Sequence, residues 1–443
     1  MDFIEEVKFW VSKAKAADPE LKVFGASSHK YEFDPPADIS EVRAFEQKHG
    51  IKLPENYVRV LTELGNGGAG PDYGLYPVEK LGNGCTDQIV TNTTFLDASL
   101  TPEIWKQVMQ GMNKVESDAE AYDKILEQVV ANAVVIGTQG CTYDTILMCG
   151  GSGNGKIVYI DWNMEEDYPP HFTHMTFEEW YLGFFKEVAA GNNLRGYGYT
   201  RLGTEKELIA DYEKAVTLEK EARINERKEI IRSLNRFRQL SSDTIRELRA
   251  EPDEELIPSI ISLILQSDQK IGLEMFNGRF FSDHPEQVIL MCRSIPDEIK
   301  GLYYKRALEI LYDNELSARR IPAIVGNDEV PCVRNLLYFL GECSCRSAKD
   351  IIPYAESGNN PDECRGTATY EICNCPDVSQ YQEAVARLMH SSVYNVAFNA
   401  MQGALRANLK DPVIINAYRW MKEYYKDDKT IQSNLERVDG LRY

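Results

Sequence analysis

Few residues of this 443-residue chain stand at spacings that chemistry needs. Two glycine patterns imitate nucleotide cradles. Gly65, Gly67 and Gly70 fit GxGxxG, but the dinucleotide fingerprint follows a strand and opens a helix. Here helical spacing precedes it and a strand-like stretch follows. Gly150 and Gly155-Lys156 have P-loop spacing, yet Ile157 stands where a Ser or Thr would hold magnesium, and no helix N-terminus follows. Both read as turns. His171 and His174, near Glu165, Glu166 and Asp167, could be drawn as a metal site. Pro169, Pro170 and the lack of helical spacing before Thr176 spoil the shared face that such a pair needs, so a surface loop is expected. Cys343, Cys345, Cys373 and Cys375, with Cys364 between, leave a four-thiolate zinc site open. One residue between thiols is short of the usual two to four, and small buried side chains at helix ends are the other reading. No nucleophile–base–orienter set is legible. The chain therefore reads as a binding protein without catalytic residues, cofactor or assigned metal ligands, and not as an enzyme.

Two acidic-aromatic segments suit recognition. In DWNMEEDY, Asp161, Trp162, Glu165, Glu166 and Asp167 cluster at a strand end, and Asp72, Tyr73 and Tyr76 have the same character. Aromatic rings supply contact energy and carboxylates steer a basic partner. The alternative is that the rings belong to the core and the acids are solvated charges.

The elements that must position these residues follow from periodicity. Residues 2–17 place Phe3, Val7, Trp10 and Ala14 on one helical face. A second helix runs from Ile39 to His49, capped by Asp38 with Glu41 three residues on, with Ile39, Val42 and Phe45 as its stripe and Gly50 as its stop. Pro54 starts a third helix that buries Tyr57, Val60, Leu61 and Leu64. YGLYPVE (73–79) reads as a short strand and 101–130 as helical. AVVIGT (133–138), YDTILMC (143–149) and KIVYIDW (156–162) read as strands, with GGSGNG as a flexible turn. Thr176 and Glu179 form a capping box before a helix whose inner stripe is Phe177, Trp180, Phe184 and Val188. Helices, then strands, then a closing helix describe an α+β fold with an antiparallel sheet.

Composition narrows the class. There are 69 acidic and 49 basic side chains, a net charge of −20. Residues 1–200 hold 30 acidic and 16 basic groups, a net −14, against a net −6 for the rest. This balance disfavours nucleic acid as a direct ligand and places a basic partner on the first half. Ten cysteines are too dilute for a disulfide scaffold. No run is long and apolar enough for a membrane span, and no basic-then-apolar leader opens the chain, so a cytoplasmic protein is expected.

The run DISEVRAFEQKHGIKLPENYVRVLTELGNGG resembles the signature of the SUKH superfamily, the Smi–Knr-type domain. Ile39, Phe45, Glu46, Gly50, Leu53, Pro54, Tyr57, Asn66, Gly67 and Gly68 carry the likeness. GLYPVEKLG and FEEWYLGFF extend it, over about residues 30–190, with 85–131 as an elaboration. The resemblance implies an α+β fold with a curved sheet and no catalytic residues. It also implies immunity proteins that bind and neutralise polymorphic toxins, many of them nucleases. Eukaryotic relatives act as cell-wall and signalling scaffolds.

Beyond a Gly- and Asn-rich stretch at 191–205, the sequence turns helical almost throughout. Segments 331–343, 362–374 and 392–404 recur at about 30-residue spacing, each followed by a second helix, and resemble HEAT-like repeats. The expected organisation is a SUKH-like α+β domain over 1–195 and an all-α HEAT-like array over 205–443. The expected function is an immunity protein that occludes a basic toxin domain, a nuclease by the resemblance. The alternative is a scaffold or regulatory protein that binds other proteins through the helical array.

Overall fold

The computed structural model describes residues 2–82, 89, 94–97, 99–322 and 329–438. The chain divides into two compact units, Met1–Ala250 and Glu251–Tyr443. In the first, α1 (Phe3–Ala17) begins where the Asp2 carboxylate accepts the Ile4 N–H, and it buries Phe3, Ile4, Val7, Val11 and Ala14. α2 (Ile39–His49) opens on the reciprocal Asp38–Glu41 cap and stops at Gly50, whose φ is +63°. Its inner face is Val42, Phe45, Glu46 and His49, while Ile39 is exposed. At 100° per residue Ile39 lies about 70° from the centre of that face, so spacing alone overstated its burial. α3 (Glu55–Arg59) follows Pro54 and widens into a π-helical turn over Val60–Leu64.

The residues that carry the family resemblance act on the backbone. The buried Glu46 carboxylate accepts the Leu53 N–H at 2.9 Å and Arg43 Nη1 at 2.6 Å, fixing the loop after α2. Asn66 Oδ1 accepts the Val78 N–H at 2.8 Å. Gly67 and Gly68 both take φ +98°, and a Cβ on Gly68 would meet the Glu32 carbonyl. Tyr57 is wholly buried, edge-on to Phe177 at 5.0 Å.

Next come α4 (Pro102–Lys114) and α5 (Ala119–Val129), then β1 (Ala133–Gly140), β2 (Tyr143–Met148), β3 (Lys156–Asp161) and β4 (His171–Thr176). The strands form one antiparallel sheet in chain order. Its two faces enter different cores. Val134, Ile136, Leu147, Ile157, Tyr159 and Met175 meet α1 and α6 (Phe177–Ala189). Val135, Ile146, Met148, Val158, Ile160 and Phe172 meet Trp105, Val108, Met109 and Met112 of α4. Burial on both faces is why three strands stand out as unbroken apolar runs.

Two local readings are corrected. Residues 171–174, expected as a surface loop, belong to β4, which pairs with β3 at Val158–Phe172 and Tyr159–His171. Pairing with β3, the preceding strand, supplies what the prolines before it obscure. Residues 73–79, expected as a strand, lie as a loop along β1. Tyr76 N–H donates to the Ile136 carbonyl at 2.8 Å and Val135 N–H to that of Gly82 at 2.7 Å. Pro77 has no N–H to continue the ladder, and a 3-10 turn follows at Val78–Lys80.

The stretch 191–205 does not leave the first unit. Tyr197 hydroxyl donates to the Trp180 carbonyl at 2.5 Å, and Leu202 packs on the core. α7 (Glu205–Lys214), α8 (Lys220–Leu234) and α9 (Ser242–Arg249) complete the unit. Arg236, with its side chain 6% exposed, reaches Glu187 at 3.3 Å and also bonds the Gly203 carbonyl. The units therefore meet after Ala250, whereas composition placed the boundary between 195 and 205. The glycines there serve positive φ at Gly191, Gly196, Gly198 and Gly203, which is turn chemistry rather than a linker.

Among its described residues the second unit is helical apart from a two-stranded hairpin, β5 (Arg320–Pro322) and β6 (Glu329–Pro331). α10 (Ile257–Ser267) and α11 (Gln269–Phe280) pair closely, because Gly272 lies against the Leu265 backbone. α12 (Tyr304–Tyr312) precedes the hairpin. The three recurring segments are α13 (Cys332–Glu342), α15 (Asp362–Cys373) and α17 (Tyr394–Arg406), which pack in succession. α14 (Ala348–Glu356) and α16 (Gln382–Met389) alternate with them, and α18 (Pro412–Tyr424) and α19 (Lys429–Leu435) follow.

Candidate partner-binding site

Three remote segments meet at the β1–β2 turn. The first is the 70–74 loop. Tyr73 N–H donates to the Thr138 carbonyl at 3.4 Å and Gly74 N–H to that of Pro71 at 2.9 Å. Asp72 takes φ +52°, in the left-handed region that Asp and Asn tolerate best among residues with a side chain. The second segment is 18–31, a loop that carries a single helical turn over Ala26–His29. Gly25 approaches the Asp72 carbonyl so closely that no Cβ would fit, and its φ is +75°. His29 lies beneath the 70–74 loop, and burial lowers its pKa. The third segment is 194–202, where Gly198 lets the backbone pass against the Tyr159 hydroxyl.

Together they enclose a cleft of about 780 Å³, whose walls include Phe24, Asp72, Gln139, Arg195, Tyr197 and Tyr199. Burial pushes the Asp72 carboxyl up to about 6, and no hydrogen bond or ion pair offsets it among the described residues. The Gln139 amide nitrogen is also buried, beside the Tyr199 hydroxyl and without a well-formed hydrogen bond. Tyr199 stacks on His171 at 4.6 Å and lies 5.0 Å from Tyr159. Its hydroxyl is pushed up to about 12, by burial first, with Tyr143, Asp72 and Asp161 adding to it. Phe24 meets Tyr73 edge-on at 5.2 Å. Phe24, Tyr73, Tyr143 and Tyr199 remain 40–58% exposed, so these rings are surface and not core.

The residues proposed from sequence separate into two groups. Asp72, Tyr73 and Asp161 border the turn region. Asp161 accepts the Thr142 hydroxyl at 2.6 Å and the Asn163 N–H at 3.0 Å. Burial alone would raise its carboxyl, but Thr142, Asn163 and Tyr143 hold it below the ordinary value. The others brace the fold. Trp162 donates its indole N–H to Asp144 at 2.8 Å and packs on the second core. The Glu165 carbonyl accepts the Trp105 indole N–H at 2.9 Å. Glu166 accepts from Gln110 at 3.3 Å and Asn113 at 3.4 Å, and Lys106 stands 3.9 Å from both Glu166 and Asp167. This turn thus clasps α4. Tyr76 is half-buried between the two cores, with the Lys80 ammonium 5.9 Å from its ring. Sequence reasoning missed Phe24, Gln139, Tyr197 and Tyr199, whose only local signal is the glycines beside them.

Metal chemistry finds no cluster of three candidate ligands among the described residues. Cys343 and Cys375 direct their thiols at the Phe339 and Glu371 carbonyls, Cys373 lies against Gly403, and Cys345 is exposed. His171 Nε2 is 3.0 Å from the Gly198 carbonyl, which ties it to the third segment.

An α+β domain built on a four-stranded antiparallel sheet with stapled glycine turns defines the class. Residues 36–183 match the model of the SMI1 / KNR4 family (SUKH-1), so the chain carries a domain of that family over about a third of its length. No curated protein matches the chain. The matched span contains Asp72 and Gln139 but neither Phe24 nor Tyr197 and Tyr199. The cleft is built jointly by the family domain and by segments outside the match.

Proposed function

We propose that the chain is an immunity protein that binds a toxin stoichiometrically and occludes it without turnover. The observation that carries this reading is the SUKH-1 match over residues 36–183. The acidic excess supports a basic partner domain, such as a nuclease. Residues 1–200 have a net charge of −14, while 201–250 contribute 12 basic and 10 acidic groups. An acidic face speeds encounter with a basic protein and suits no phosphate backbone. No helix of the described residues is long and apolar enough to cross a membrane. The alternating helices of the second unit favour a second reading, a scaffold that holds other proteins.

Affinity capture with the full chain and with residues 1–250 as separate baits distinguishes them. One basic toxin domain recovered by both, and inhibited at one-to-one stoichiometry on reconstitution, supports immunity. Several housekeeping proteins recovered by the full chain alone overturn it in favour of the scaffold. Association that is unchanged between low and high salt removes the electrostatic part.

A further inference from the structure

We infer that the cleft beside the β1–β2 turn receives one arginine side chain of the protein partner, with Asp72 accepting from its guanidinium and the Phe24 and Tyr199 rings beside it. This rests on the reading of the chain as a protein-binding immunity protein and names the group that is read.

The first support is the carboxylate itself. An ionised carboxylate half-buried in a cleft wall is costly unless paired, and Asp72 has no partner among the described residues. Its position is imposed: the backbone is held at φ +52° between the glycine-permitted approaches of Gly25 and Gly74. A strained residue carrying an unsatisfied charge into a cleft points to a group that arrives from outside. The second support is the surroundings. Tyr159, Tyr197 and Tyr199 face Asp72 from β3 and the 194–202 segment, and each is raised by burial first, with Asp72 adding. These groups are neutral at physiological pH and leave the carboxylate uncompensated. His29, beneath the loop, is lowered by burial and adds no cation. At the wall, Asp18 is occupied by the Tyr31 hydroxyl at 2.9 Å and Lys22 by Glu20 at 2.5 Å. Arg195 and Arg238 also line the cleft but are exposed and do not lower Asp72.

Arginine fits better than lysine. Its planar guanidinium lies against aromatic faces, presents several donors to one carboxylate and sheds water more readily than an ammonium. The cleft opens among exposed rings, as a seat for a side chain carried on a protein surface requires.

The test uses the full chain and two blocked tripeptides, glycine–arginine–glycine and its citrulline counterpart, which keeps the shape and loses the charge. Calorimetric titration at pH 7.5 should show the arginine peptide binding at least about tenfold more tightly. Asp72→Asn should abolish that preference, and Asn is accepted at the same positive φ, so the loop is retained. The Asp72 carboxyl, followed by carbon-13 NMR, should titrate at lower pH when the arginine peptide is saturating. Equal affinities, an unchanged preference in Asp72→Asn, or an unmoved carboxyl titration would each overturn the arginine seat. Capture and one-to-one inhibition of a toxin that Asp72→Asn still binds fully would sink the seat alone and leave immunity standing. Peptide discrimination without any toxin captured would do the reverse.

Discussion

Replacing Asp72 by Asn should stabilise the first unit at neutral pH while costing it recognition. Burial raises the carboxyl from 3.8 to about 6. That displacement corresponds to about 3 kcal/mol, and about 2 once the partial exposure of the residue is allowed for. Between pH 3.8 and about 6 the folded wild type binds more protons than the unfolded chain, so its stability falls as pH rises through this window. Above it the loss is complete and constant. Asn carries no such charge, so the gap between variant and wild type is absent below pH 4 and fully open above about 6. His29, whose folded pKa is lowered, destabilises both proteins equally as pH falls below 6.5 and cancels in the difference. Urea denaturation from pH 4 to 8 measures the gap. Tryptophan fluorescence suits it, because Trp10, Trp105, Trp162 and Trp180 lie in the first unit and only Trp420 in the second. An Asp72→Asn protein no more stable than wild type at pH 7.5, or a gap that ignores pH, would refute the reasoning.

Arg236→Met leaves Glu187 buried without its cation and should cost about 3–5 kcal/mol in the same urea assay. A chain ending at 195 loses Tyr197, Leu202 and Arg236 together, so it should fail to show the cooperative thermal transition that residues 1–250 display by circular dichroism. Gly272→Ala drives a Cβ into the Leu265 backbone, which cannot yield as a side chain tip would, and should destabilise the second unit by about 1–3 kcal/mol in far-ultraviolet circular dichroism. In a Cys85→Ser background, Ellman's reagent should titrate two fast thiols, Cys141 and Cys345, because the other described cysteines are buried. Burial pushes Cys343, Cys373 and Cys375 up to about 12, so they should react only on unfolding.

What was legible in the sequence was local. The Asp38–Glu41 and Thr176–Glu179 caps are decided within four residues, and both form. β1, β2 and β3 were legible because two cores claim alternate residues of each strand. β4 was not, since its identity depends on pairing with β3 and its prolines argue locally for a loop. Ile39 shows the limit of counting steps, because a face has an edge as well as a centre. The cleft was half visible. Asp72 and Tyr73 stood out as an acid beside an aromatic ring, but Phe24, Gln139 and Tyr199 come from segments more than forty residues away on either side, and nothing local links them. Trp162, Glu165, Glu166 and Asp167 have the same composition as a recognition segment, yet Trp162 bonds Asp144 of β2 and the three acids reach α4. Composition names the chemistry a group can do, and geometry decides where it is spent.

The loop over residues 73–82 has a consequence for how such a protein can change over generations. By holding the outer side of β1 through main-chain hydrogen bonds, it closes that edge to any strand a partner could add. The recognition proposed near the β1–β2 turn would then be written in side chains rather than in backbone. Side chains at a turn and in two flanking loops can be exchanged singly without moving the staples at Glu46, Asn66 and Gly68. Under the immunity reading proposed above, such a surface can be rewritten one residue at a time while the scaffold is inherited intact.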